Sequence, residues 1–124
     1  MAMGDALELL RAARRAALRE AQRQIDAEHA TAAALRAAVV PKLRHAVSAA
    51  RAEGAVGRAV LFGSFAWGEP TEHSDLDLLV EGCVDGLRLS ARLGRATDRD
   101  VHVIELEHAP ESLVRRAHAE GIEL

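Results

Sequence analysis

Apolar positions in the first forty residues recur at helical spacing. Leu18, Ile25, Ala32 and Val39 stand seven apart, with Ala21, Glu28 and Leu35 between them. This is a heptad stripe thinned by alanine and interrupted by one glutamate. The segment is rich in Ala, Arg, Leu, Gln and Glu, lacks proline, and holds one glycine, Gly4, beside which Asp5 can act as N-cap. It therefore predicts an N-terminal helical extension over 1–40, with Thr31 able to cap a fresh start inside it. The stripe has two readings: packing on the chain's own domain, or a seam for a second copy or a partner's helix. Pro41 suits the first turn of a second helix, Pro41 to Glu53, which has Leu43, Val47 and Ala50 on one face and ends at Gly54.

Beyond Gly57 the period changes to that of strands. Ala59 to Phe62 is a short apolar run stopped by Gly63, as a buried strand would be. After a loop marked by Gly68, Pro70, His73 and Ser74, apolar Leu76, Leu78 and Val80 alternate with Asp75, Asp77 and Leu79 as far as Gly82. Leu87 to Leu93 predicts a helix closed by Gly94. Asp100 to Leu106 alternates again, and Pro110 opens a last helix to Glu120 with Gly121 beyond it. The expected order is αα-β-β-α-β-α: an α/β fold, a small mixed β-sheet flanked by helices, over 41–124.

Composition narrows the function classes. At 124 residues with 49% hydrophobic and 28% charged positions, the chain suits one soluble domain of cytoplasmic type, and its apolar runs are too short for a membrane span. Residues 1–54 carry +3 and residues 55–124 carry −6. Net charge of −3 argues against generic nucleic-acid binding, and an acidic C-terminal half suits cations instead. Arginine outnumbers lysine fifteen to one, which we attribute to genomic base composition. The lone Cys83 leaves no intrachain disulfide and reads as a small apolar residue. His29, His45, His73, His108 and His118 share no ligand spacing and read as surface, as do Arg115 and Arg116. All three aromatics, Phe62, Phe65 and Trp67, fall within six residues, which marks that segment.

The chemistry of the segment is legible without a name. A strand ending in Gly63-Ser64 before a helical turn offers main-chain N–H groups and a hydroxyl to an anion, with glycine allowing close approach. Asp75 and Asp77 lie two apart on a strand, so both carboxylates leave one face, with roughly 6–7 Å between Cα atoms. Two like charges so close need neutralising, and a hard divalent cation with oxygen ligands does this well. Either half alone is commonplace; the ordered pair describes a site for a metal–phosphate complex.

Gly63-Ser64 with Gly68, followed by Ser74-Asp75-Leu76-Asp77-Leu78-Leu79-Val80, resembles the signature of the DNA polymerase β-type nucleotidyltransferase superfamily. The likeness covers about residues 42–124, including the closing Ala119-Glu120-Gly121-Ile122, and the short chain looks like the minimal form, the MNT antitoxins that pair with HEPN toxins. The resemblance implies that Gly63, Ser64, Gly68 and Ser74 belong to the nucleotide-binding part, and that Asp75 and Asp77 hold two Mg2+ ions. It implies transfer of AMP from ATP to a tyrosine hydroxyl of a HEPN-type toxin, silencing it. This chain has no tyrosine of its own to modify.

Two departures stand out. Trp67 occupies the place before the second glycine where such proteins often carry arginine; it packs against a base or stacks on the domain. The third carboxylate's expected position falls on His102, with Asp100 two residues earlier on the same strand face. An imidazole can ligate a metal or act as base but adds no negative charge. Hence the alternative of a decayed fold that neutralises its partner by binding alone. Transfer to a small molecule fits less well, because only about forty residues lie outside the core to form an acceptor domain.

Overall fold

The computed structural model describes residues 2–124; residue 1, the first of the expected extension, lies outside them. The elements are α1 (Met3–Ala52), β1 (Ala59–Phe62), the single turn α2 (Ser64–Trp67), β2 (Leu76–Val80), α3 (Gly86–Thr97), β3 (Val101–Glu105), a 3-10 turn (Leu106–His108), α4 (Glu111–Glu120) and β4 (Ile122–Glu123). The sheet runs β3-β2-β1-β4, with β1 antiparallel to β2 and β4, and β2 parallel to β3. It is the small mixed sheet flanked by helices that the sequence pattern predicts.

Strand alternation divides the core in two. Ala59, Leu61, Leu76, Leu78, Val80 and Val101 face α1 and α3, where they meet Val39, Leu43, Val47, Leu89 and Leu93. Val60, Phe62 and Leu79 face the other way, toward Ala117 of α4, with Trp67, Ile104 and Leu113 at the margin. Among the described residues, no helix is long and apolar enough to cross a membrane.

Three expectations need correcting. The two expected N-terminal helices are one, and Pro41 lies inside it. Proline removes one i→i−4 bond there, but Val39, Leu43, Ala46, Val47 and Ala50 are buried on both sides of it, and that packing holds the helix across the break. The predicted end is right: Gly54 takes φ +77° beyond Ala52. Gly94 does not close α3. The helix continues to Thr97, whose hydroxyl donates to Leu93 O at 2.8 Å, and Asp98 takes the left-handed cap at φ 53°. Finally, β4 was not expected; two residues show no periodicity, and the strand exists because Leu61 pairs with Ile122 and Ala59 O accepts from Leu124 N.

The heptad stripe splits as well. Ala32 and Val39 are buried and Leu35 packs on the core, so from Ala32 onward the helix packs on its own domain. Leu18 and Ile25 are 62% and 44% exposed, and that reading fails for them.

Candidate functional site

Three strand ends meet at one edge of the sheet: β1 finishes at Phe62 where β2 begins at Leu76 and β3 at Val101. In the ladder Phe62 lies opposite Asp77, and Asp77 opposite His102. Leu79 and Ile104 belong to the α4-side core, so Asp77 and His102, two residues earlier on each strand, point to the same side. Asp75 immediately precedes β2 and joins them there.

His102 stands between the two carboxylates. Its Nδ1 is 3.3 Å from Asp77 Oδ1 and its Nε2 is 3.6 Å from Asp75 Oδ2. Asp100 is exposed, one residue ahead of β3, and its carbonyl accepts from Leu76 N at 2.9 Å. The aspartate pair is thus completed by an imidazole rather than a third carboxylate. Burial pushes the Asp77 carboxyl above its usual range, and the neighbouring Asp75 charge adds to this, while His102 opposes it. The chemistry of this donor set suits a divalent cation, because two repelling carboxylates, one disfavoured as an anion by its surroundings, gain from a positive charge. As they stand, with the imidazole between the carboxylates, the three groups do not converge on one point as Glu105, Glu107 and His108 do.

Gly63 closes the site from β1. It has φ +74°, and a Cβ there would lie 2.4 Å from Asp77 Oδ2, so conformation and space both demand glycine. Its carbonyl accepts from Ala66 N and Trp67 N, both at 3.0 Å, which starts α2 with Ser64 first in the turn. Gly68 ends that turn, donating to Ser64 O at 3.2 Å, and a Cβ on it would meet Ser64 Cα at 2.9 Å. Ser74 shapes the loop before Asp75: its hydroxyl accepts from Thr71 N at 2.8 Å. The structure therefore brings Gly63, Ser64, Ser74, Asp75, Asp77 and His102 to one end of the sheet, with Gly68 at the far end of the turn that follows Gly63. An open groove flanks Asp75 and His102 on the α3 side, lined also by Ser74, Ser90, Arg95 and Arg99.

Two arginines missed in the sequence hold these turns. Arg36 of α1 donates through Nε to Phe65 O at 3.1 Å and through a terminal nitrogen to Gly68 O. Arg99 donates to Thr71 O, Glu72 O and Ser74 O at 3.3, 3.1 and 2.9 Å, with its guanidinium carbon 5.1 Å from the centroid of the Phe65 ring. No sequence signal marks either, since their partners are main-chain carbonyls about thirty residues away along the chain.

Trp67 packs on the domain: its ring lies 6.0 Å from that of Phe62 and is covered by Arg116 at 4.2 Å. Arg116 is exposed, as expected of a solvated residue, and there it also meets Glu120 at 2.7 Å. The five remaining histidines are exposed, as expected. Cys83 packs against the core, and burial pushes its thiol pKa up.

The family model "Polymerase beta, Nucleotidyltransferase" matches residues 46–124. Among solved structures, a protein described as a minimal nucleotidyltransferase is 29% identical with a TM-score of 0.61, the match covering 72% of this chain and 95% of that one. A mutant of the toxin–antitoxin MntA–HpeT is 27% identical with a TM-score of 0.52, covering 65% and 69%. A toxin–antitoxin with AMP-PNP is similar in fold, at 23% identity and a TM-score of 0.53, covering 64% and 69%. No curated protein matches the chain in sequence.

Proposed function

Because the chain belongs to the polymerase β nucleotidyltransferase family, we propose that it transfers AMP from ATP to a hydroxyl of a partner toxin of the HEPN type. The observation that carries this reading is the convergence of Gly63, Asp75 and Asp77 where β1 ends and β2 begins. Its likeness to the toxin–antitoxin MntA–HpeT supports a toxin as the partner. The transferase domain takes in α1 from Ala32 onward, the expected division at 40/41 falling inside that helix, and the exposed stretch before it, with Leu18 and Ile25, offers an apolar face to a second copy or the toxin.

Asp75 and Asp77 are the cation ligands, with the family's two Mg2+ ions as the expectation. When bound, such cations neutralise phosphate charge and lower the pKa of the attacking hydroxyl. Ser64 and the main chain at Gly63 cradle the phosphates, while Gly68 and Ser74 keep the two turns in shape. The acceptor oxygen attacks the α-phosphorus in line, the bond to pyrophosphate breaks, and the hydroxyl proton passes to solvent, since Asp100, exposed one residue ahead of β3, stands apart from the aspartate pair. Arg36 and Arg99 act on the site only by fixing loop carbonyls.

A specific feature favours a second reading, in which the fold neutralises its partner by covering it: His102 sits where a third carboxylate would complete the metal site. Calorimetric titration of ATP, with and without Mg2+, separates the two. We expect magnesium-dependent binding that Asp75→Asn weakens at least about tenfold. If neither the free protein nor its complex with the toxin binds ATP, the transferase reading fails and the covering one stands.

A further inference from the structure

We propose that His102 makes the Asp75–Asp77 site select a borderline transition cation, such as Mn2+, over Mg2+. The inference rests on the reading of these aspartates as cation ligands. Each ring nitrogen of His102 faces a different carboxylate, Nδ1 toward Asp77 and Nε2 toward Asp75. One nitrogen can therefore ligate a cation held by one aspartate while the other, as N–H, donates to the second. That is how ligating histidines are ordinarily oriented, by a carboxylate on the far nitrogen.

The donor chemistry then decides the ion. Mg2+ demands oxygen ligands and sheds water reluctantly, so exchanging a third carboxylate for a neutral imidazole costs it a charge and returns nothing. Mn2+ and the later divalent metals accept imidazole nitrogen. The parallel pairing of β2 with β3 fixes His102 opposite Asp77, and the side chain is 62% exposed, so an entering ion reaches it without displacing core residues. Asp100 lies outside this arrangement, and Arg99 is occupied by the loop carbonyls of Thr71, Glu72 and Ser74.

The test uses the full chain without nucleotide. Mn2+ binding is followed by loss of the free-ion paramagnetic signal, with Mg2+ as competitor, for the wild type, H102D and D77N. We expect H102D to lower the Mn2+-to-Mg2+ affinity ratio by about tenfold or more, and D77N to lose the ion. Electron spin-echo modulation from a directly bound nitrogen is expected in the wild type and absent in H102D. An unchanged ratio in H102D, no Mn2+ binding by the wild type, or no nitrogen coupling overturns the inference. Circular dichroism confirms that H102D is folded. ATP–Mg2+ titration keeps the two readings apart. ATP binding with an unchanged ratio sinks only the metal selectivity, whereas the predicted ratio with no ATP binding by the protein or its toxin complex sinks only the transferase.

Discussion

Asp77 joins stability and function in one side chain. It is 26% exposed, lies against Gly63 and His102, and is held above its ordinary carboxyl pKa of 3.8 first by burial and then by Asp75. An acid whose folded pKa is raised binds more protons folded than unfolded in the window between the two values. Stability therefore falls as pH rises through that window and stays lower above it. We expect Asp77→Asn to raise the melting temperature of the cation-free protein by a few degrees at pH 7. The gain should vanish as pH drops below the ordinary carboxyl range. Thermal melts of both proteins across pH 3–8 without divalent cations check this, and a gain independent of pH would refute the cause given. On the proposed reading of Asp77 as a cation ligand, the wild-type residue is retained at a cost in stability, as sites of function often are.

Among the elements, α1 is the instructive one. Its exposed first part is an Ala- and Arg-rich helix, and its second part buries Val39, Leu43, Val47 and Ala50 on either side of Pro41. Proline inside a helix forfeits one hydrogen bond and crowds the preceding turn. We expect Pro41→Ala to stabilise the protein by about 1–3 kcal/mol, measured by urea denaturation, with nucleotide affinity unchanged because Pro41 touches no part of the site. The helix also carries Arg36, which fixes the turn between Gly63 and Gly68 from outside the family-matched segment 46–124. Arg36→Met keeps much of the aliphatic stem and loses both carbonyl contacts. We expect it to weaken ATP–Mg2+ binding several-fold with little loss of stability, read by calorimetry beside a melt. Sequence periodicity found the helix and its end at Gly54, but it read Pro41 as a boundary, because local propensity knows nothing of the sheet that holds both sides of it.

For the whole molecule, the question is how far the extension matters to the domain. No side chain of residues 2–31 is buried, the first being Ala32, although His29 approaches Glu69 at 3.4 Å on the surface. We expect a chain starting at residue 32 to match the full chain's unfolding free energy within about 1 kcal/mol, and to bind nucleotide equally well. Urea denaturation and calorimetry of the truncated chain test both. Much of this molecule was legible beforehand. Alternation from Asp75 to Val80 set both carboxylates on one face, glycine at 63 marked a close approach to the main chain, and the ordered pair of segments marked where a site was to be sought. These are local matters, fixed by the two-residue period of strands and by what a missing Cβ permits. Tertiary structure decided the rest. That His102 and not Asp100 meets the aspartates depends on the register of β3 against β2. The arginine braces and β4 exist only once distant carbonyls and strand edges are brought together. Register and long-range hydrogen bonds are set by the packing of whole faces, which no short stretch of sequence contains.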